Sequence, residues 1–466
     1  MCADAAATFK LDAYVEPKLN DSLRGLRDNI DQPAALVLYN CSKRGLRVDQ
    51  DVMNQMEEFL EKNLKLQEAA MSAVIGAVKV PCTTKGITRI EEKKFNPRSN
   101  PHVGAFLFDM RGYKSKVKTE SGGRAVGVED VLVPLHKVNP DDEVLSALIA
   151  YKTTYKNLNT FIRGKKAGLK TQMKEGRLHT GFSVSRLHTG RTSSFHPNLQ
   201  NLPEAIQAVI IPDPGYKFVY ADYSQLELRC LAFFSKDAEL MEALDTGDVH
   251  RATAARSNGI LFDEVTPIQR SRAKTVNFGI VYGESAYALA QKLGITEEEA
   301  ALLQKEAFPY AKAQAWIAGA IQRVKYPPHE IVGLFGRTRR LSHAGRGGRY
   351  AERAARQGVN APIQSMGGDL LKVAMIKVDK ELVKRGYDKR TFGTLDDIAW
   401  IILEIHDMLM VQSKDEYIDE MVNLMQDQMT MEIQGVNFPV DIEIKDRLQK
   451  LDLDLLITDK RLRAAA

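Results

Sequence analysis

The sequence predicts a mixed α/β (α+β) fold built from more than one packed unit. Three observations carry this. Long segments space their apolar residues as helices do, and a few short apolar runs end at acids. The chain of 466 residues is also too long for one hydrophobic core. Two or three units of about 100–200 residues each are expected.

Taken in order, residues 1–32 are polar and read as an irregular arm. From Ala34 to Ala77 the spacing is helical, with one break at Lys43 to Val48. Pro81 to Val133 is rich in Lys, Gly, Pro and Asn and reads as loops with short elements. Asp141 to Arg163 reads as a helix whose Lys152 and Lys156 share a face. YKFVYADY, residues 216–223, reads as a buried strand, and Gln225 to Phe234 then turns helical. Thr266 and Pro267 suit an N-cap followed by a proline at the first helical position. They start a helix that reaches Tyr282, with Gly283 just past it. FGRTRRLSHAGRGGRY, residues 335–350, reads as a basic, glycine-rich loop. A long helical pattern follows from Tyr350 to Arg385, in which Pro362 predicts a kink or break. IAWIILEI and MLMVQS flank His406 and Asp407, which reads as a β-hairpin with the polar pair at its turn.

The charge is modest overall, +5, but uneven. Lys152 to Arg191 holds ten Lys or Arg and one acid, Glu175; Arg323 to Arg356 holds nine and two acids, Glu330 and Glu352; acids dominate from Asp396 onward. Basic segments beside an acidic one fit a polyanion track leading to a cation site, although solvated basic helices would look similar. Four scattered cysteines with no CxxC or zinc spacing imply reduced thiols and an intracellular protein. No apolar run is long enough to span a membrane. Asp4, Asp12 and Glu16 argue against a signal peptide.

Arg270, Lys274, Phe278 and Tyr282 recur every four residues, so they form one helical stripe of two cations followed by two aromatics. A helix that grips a polyphosphate at one end and stacks a flat ring at the other would look like this. A snorkelling amphipathic helix is the plainer alternative. Asp222 ends an apolar strand and Asp407 sits at a hairpin tip. Brought together they could hold two divalent cations, which activate a 3′-hydroxyl and stabilise a leaving pyrophosphate. Mg²⁺ suits that role because it accepts carboxylate and phosphate oxygens, and Mn²⁺ is an alternative. Either aspartate alone could be an ordinary turn residue.

These segments resemble a known family. DYSQLELR at 222–229, RSRAKTVNFGIVYG at 270–283 and His406–Asp407 are similar to motifs A, B and C of family A DNA polymerases, the DNA polymerase I type. TGRTSSFHPNLQNLP at 189–203, GDVHRATA at 247–254, LFGRTRRL at 334–341 and NAPIQ at 360–364 match further, in order, and the resemblance covers roughly residues 32–466. It implies a right-hand fold with a palm built on an antiparallel sheet, helical fingers and a helical thumb. The implied division is an arm at 1–31, a thumb-like region at 32–174, palm at 175–227 and 366–466, and fingers at 228–365. It implies template-directed addition of dNTPs to a primer 3′ end on primer–template DNA, by a monomer in the cytoplasm of a bacterium or phage-infected host. A processivity factor or an exonuclease on a separate chain stays open.

By the same resemblance, Asp222, Asp407 and the carbonyl of Tyr223 would be metal ligands. Lys274, Arg270 and His250 would hold the triphosphate, Phe278 would stack on the incoming base, and Tyr282 would stack near the templating position. The phenylalanine at 278, where some relatives have tyrosine, is associated with discrimination against dideoxynucleotides. Glu227 looks like the steric gate against a ribose 2′-hydroxyl, with Gln225 beside it in the nucleotide site; an exposed helix acid is the plainer alternative. Arg191, Arg356, Asn360 and Gln364 match positions that read the minor groove, whose acceptors look alike in every correct pair. His406, Asn198, Asn201, Lys152 and Lys156 are further DNA-binding candidates. Two features depart from the family. Motif C usually reads His-Asp-Glu, and here Met408 follows Asp407, a soft neutral side chain that cannot bind Mg²⁺ usefully. Only about thirty residues precede the thumb-like region, too few for a proofreading domain, so no exonuclease activity is expected of this polypeptide. A low-activity primer–template binding protein and a single-subunit RNA polymerase are the alternatives; Glu227 argues against the second.

Overall fold

The computed structural model describes residues 10–84, 87–114, 117–119, 122–166, 168–293, 295–306 and 308–458. The chain divides into two compact units. One comprises Met1–Gly45, Thr180–Phe195 and Pro212–Asp446, and the other Leu46–His179, His196–Ile211 and Arg447–Ala466.

The first unit is built on α1 (Gln32–Arg44), β1 (Tyr216–Tyr223), α2 (Leu226–Ser235), α3 (Val249–Asn258), α4 (Pro267–Val281), β2 (Glu330–Val332), β3 (Thr338–Arg340), α5 (Gly348–Lys384), β4 (Ala399–Ile405), β5 (Met408–Lys414) and β6 (Val440–Lys445). Its four-stranded sheet runs in the order β4-β5-β1-β6, with every neighbouring pair antiparallel. β4 and nearly all of β5 are buried, which explains their largely apolar sequences. Helices α1 and α5 pack against the edge strand β4. The other edge, β6, carries Asp441, Glu443 and Lys445, charges that resist further pairing. Val219, Ala221, Leu231, Met366, Leu370 and Leu409 meet in one core beneath the strand ends that carry the acids.

Three segments of the first unit differ from the sequence expectation. Residues 1–9 of the expected arm lie outside the described residues, but the rest of it is helical. Asn20 caps Asp21–Leu26 by accepting from Leu23 N at 2.9 Å, and Leu26 and Ile30 are buried. Polar composition hid this because Asp31 finds buried partners that no local pattern reveals. Second, the expected loop at 335–350 contains β3, paired with β2, and a short helix at Ser342–Arg346. Third, α5 runs through Pro362 without a break. Val359, Ile363, Met366 and Leu370 are buried on both sides of the proline, so tertiary packing overrides the lost hydrogen bond. The last eight residues, 459–466, belong to the second expected palm segment and lie outside the described residues.

The second unit pairs Leu46–Val48 antiparallel with Arg177–Leu178 and with Ile210–Ile211, so the end of the break expected at Lys43 to Val48 is a strand. Asp49 caps the helix Gln50–Ile75, and Asp142 caps Glu143–Lys156. The Tyr151 hydroxyl donates to Glu68 at 2.6 Å and ties these helices together. Between them lies a longer hairpin than expected, Ala77–Thr84 with Ile87–Lys94.

Candidate active site

The register of the sheet brings the two aspartates together. Asp222 on β1 stands directly opposite Met408 on β5, which places Asp407, one residue earlier, beside it. Tyr223 N donates to the Asp407 carbonyl at 3.2 Å and ties the hairpin turn to β1. His406 makes that tight turn in the left-handed region, at φ 55°. On its other side Asp222 faces Asp441 of β6. Burial, then the charges of Asp407 and Asp441, push the Asp222 carboxyl up to about 6, against the pull of Lys445. Crowded carboxylates of this kind are hard oxygen donors that suit a divalent cation. Among the described residues no group of three or more His, Cys, Asp or Glu side chains converges to hold a metal.

Arg191 joins one of these aspartates to Glu227. Its Nη2 donates to Glu227 Oε1 at 2.8 Å and to Asp407 Oδ1 at 3.1 Å. Gln225 adopts φ 55° where β1 ends, and the helix it caps turns Glu227 inward on its first turn. Glu227 is buried, so it is not an exposed helix acid. The Tyr282 hydroxyl lies 2.9 and 2.8 Å from its two oxygens. Burial raises the Glu227 carboxyl, and Arg191 and Tyr282 only partly oppose it.

Helix α4 carries the stripe. Thr266 Oγ1 accepts from Gln269 N, and the Gln269 side chain accepts from Thr266 N at 2.9 Å, a capping box with proline at the first position. The helix buries Ala273, Val276, Asn277 and Val281, while Lys274 and Tyr282 are exposed and Arg270 and Phe278 half-buried. The stripe therefore lies on the open face and does not snorkel over the core. The Phe278 and Tyr282 rings stack at 6.3 Å, and the His250 ring lies 5.4 Å from Phe278. Asp248, the N-cap of α3, accepts from Arg270 Nε at 2.6 Å. Gly283 ends the helix at φ 63°, where any side chain would be strained, and a Cβ there would press on α5 at 3.1 Å from Arg356 Cα.

Asn277 Nδ2 lies 3.1 Å from His250 Nδ1 and 3.1 Å from Thr253 Oγ1. With the amide donating to Nδ1, the ring proton sits on Nε2. Burial, then Lys274, lowers the His250 pKa to about 4, so the ring is neutral near pH 7. NMR titration should find its midpoint near 4. A depressed histidine binds its proton more weakly folded than unfolded, so its contribution to stability is complete above about pH 6.5. That contribution should be lost as pH falls toward the folded midpoint. A midpoint at or above the free-histidine value would contradict this environment.

Arg356, Asn360 and Gln364 follow one another along α5 at four-residue spacing, Arg356 exposed and the other two half-buried. Asn360 Nδ2 is buried with no hydrogen-bond partner among the described residues. In the second unit, Lys152, Lys156 and Asn201 line one recess of about 690 Å³. Burial lowers the Lys152 pKa. Asn198 precedes the short helix Leu199–Asn201 and is exposed. Sequence reasoning missed Asp248 and Asn277, although both lie inside quoted motifs. It also missed Asp441, which only the register reveals, and the hydrogen bond from Thr192 to the buried Glu404 of β4.

Known proteins share this arrangement of segments. The DNA polymerase family A model matches residues 63–450. DNA polymerase I of Caldicellulosiruptor bescii is 30% identical over 440 residues, covering 92% of this chain and 47% of that protein. DNA polymerase I of Pseudomonas aeruginosa is 30% identical, covering 90% of this chain and 43% of that protein. The chain thus spans about half the length of the curated relatives it matches. The POL domain of Pol1 from M. smegmatis, solved in complex with DNA primer-template and dNTP, superposes with a TM-score of 0.81 at 28% identity, over 96% of this chain and 74% of that one. That match gives the chain the polymerase fold expected from its motifs, and family A polymerases depend on divalent cations. No helix among the described residues is long and apolar enough to cross a membrane. With a family match across most of its length and the paired aspartates on its sheet, this chain belongs to DNA polymerase family A.

Proposed function

We propose that the chain is a template-directed DNA polymerase that adds dNTPs to a primer 3′-hydroxyl. One observation carries the proposal: a single unit sets Asp222 beside Asp407 and links Asp407 through Arg191 to Glu227 and Tyr282, the foot of the cation–aromatic stripe. In this reading residues 32–174 act as thumb, 175–227 and 366–466 as palm, and 228–365 as fingers. Asp222, Asp407 and the Tyr223 carbonyl would hold two Mg²⁺ ions, with Mn²⁺ able to substitute, and the ions would supply activation of the 3′-hydroxyl and charge for the leaving pyrophosphate.

The chain's own side chains do the rest. Lys274 and Arg270 meet the triphosphate, and Asp248 orients the Arg270 guanidinium. Neutral His250 donates through Nε2. Phe278 stacks on the incoming base, and Tyr282 closes the nucleotide site toward the template. Glu227, with Gln225 two residues before it, fills the space a 2′-hydroxyl would need. Arg191, Arg356, Asn360, Gln364 and His406 face the minor groove, and Lys152, Lys156, Asn198 and Asn201 contact the primer–template duplex. Met408, buried opposite Asp222, leaves this site one acid short of the usual motif.

The gate gives the test. Wild type should extend a primer with dNTPs and discriminate strongly against rNTPs. Glu227→Ala should raise ribonucleotide use relative to dNTPs by about 100-fold. A wild type that prefers rNTPs would favour an RNA polymerase, and discrimination unchanged by Glu227→Ala would remove Glu227 from the gate.

A further inference from the structure

Arg337 lies in the basic stretch between β2 and β3, yet its charge is neutralised inside the unit. Its Nε and Nη2 meet the two oxygens of Asp369 on α5 at 3.2 and 2.7 Å. Nη2 also meets both oxygens of Asp31, at 2.9 and 3.2 Å. Lys372 adds a second cation, 2.7 Å from Asp31 and 3.6 Å from Asp369. The Asp369 and Lys372 side chains are each only 1% exposed. Two cations against two anions, joined by a bidentate pair, make a rigid support rather than a mobile phosphate-binding arm.

The segment that carries Arg191 rests on this support. Gly190 has φ 78°, and a Cβ there would lie 2.2 Å from Arg337 Nε, so the backbone passes directly over the guanidinium. One residue on, Arg191 lies against α5: a Cβ on Gly368 would come within 3.2 Å of its Cα and Cγ. Thr192 then donates to Glu404. Three successive residues are held from below, and the Arg191 tip is left to reach Glu227 and Asp407.

We propose that Arg337, seated by Asp369 and Asp31, is a positioning residue for Arg191, so that the N-terminal Arg27–Asp31 segment helps set sugar selection. The inference rests on Glu227 acting as the gate. The gate carboxylate is held by Tyr282 and by Arg191. If Arg337 is shortened, the Gly190 backbone loses its support, the Arg191 tip drifts, and Tyr282 alone holds Glu227. A gate with one tether samples more positions and admits a 2′-hydroxyl more often.

The test is single-nucleotide incorporation by the full chain on a labelled primer–template with Mg²⁺. It reads the ratio of kcat/KM for a dNTP to that for the matched rNTP. This ratio does not depend on the fraction of molecules folded, so a purely structural loss would not move it. Arg337→Met should lower it about tenfold and Asp31→Asn about threefold, in the same direction as Arg191→Met. Arg44→Met, which loosens the same unit elsewhere, should leave the ratio unchanged. Should Arg337→Met fail to fold, Asp31→Asn decides. A ratio unchanged in the Arg337 and Asp31 variants but lowered in Arg191→Met overturns the positioning role and leaves the polymerase reading standing. A wild type that extends with neither nucleotide, or a ratio unmoved by Glu227→Ala, overturns both.

Discussion

Asp407→Asn is expected to lower primer extension by about 1,000-fold or more while leaving duplex binding within a few-fold of wild type. Asn keeps the size of the side chain and one oxygen, so it can still accept from Arg191, but it removes the charge that a divalent cation requires. The substitution should also change Asp222. Its carboxyl stands near 6 because burial and two neighbouring acids disfavour its charge. With Asp407 neutralised, one repulsion disappears, and the Asp222 midpoint should fall toward the ordinary carboxylate range. Stopped-flow extension and an NMR titration of Asp222 measure the two effects independently. Near-normal extension by Asp407→Asn would mean that the sheet brings these acids together for some purpose other than metal-assisted chemistry.

The largest stability effect is expected from Arg44→Met. Arg44 is buried, and its Nη2 lies 2.5 Å from both Asp388 and Asp397, with the guanidinium 4.5 Å from the Trp400 ring. Arg390 extends the network, pairing with Asp388 and with both oxygens of Asp379 at 2.8 Å. Methionine would fill much of the space but would strip two buried carboxylates of their shared cation. Breaking one side of a buried pair costs about 3–5 kcal/mol. Urea denaturation read at the first unit's transition should show that loss; a change under about 1 kcal/mol would mean the acids find other partners.

The pH dependence of that loss has a definite sign. Burial pushes the Asp397 carboxyl up, but Arg44, Lys389 N and Thr391 outweigh it and hold it below the usual range. A depressed carboxylate contributes stability above its unfolded pKa, about 3.9, and loses it as pH falls through the lower folded value. The gap between wild type and Arg44→Met should therefore be widest above about pH 5 and narrow below about pH 4.

The sequence revealed most of what depends on local pattern. The strand at Tyr216–Tyr223, the hairpin around His406 and Asp407, and the capped start of α4 all follow from short-range chemistry: apolar runs, a turn pair, and Thr followed by Pro. The motifs located Asp222, Glu227 and the α4 stripe. What stayed hidden depends on partners far along the chain. The helical N-terminal segment is held by Asp31 with Arg337 and Lys372, more than 300 positions away. Pro362 should have broken α5, but burial on both sides carries the helix through. Asp441 gains its place beside Asp222 only from strand register, and Asp248 its grip on Arg270 only from the packing of α3 on α4. Arg337, inside a segment that reads as a basic loop, turns inward because two acids from elsewhere reach it.

The most direct single measurement is one-step extension of a labelled primer, with Mg²⁺, on four templates that differ only in the next base, each offered the four dNTPs separately. Template-directed synthesis at the Asp222–Asp407 site predicts efficient addition of the complementary nucleotide alone in each case. Tight, salt-sensitive binding of every duplex with no addition to any would contradict it, and would mark Met408 as the sign of a site that holds primer–template DNA without copying it.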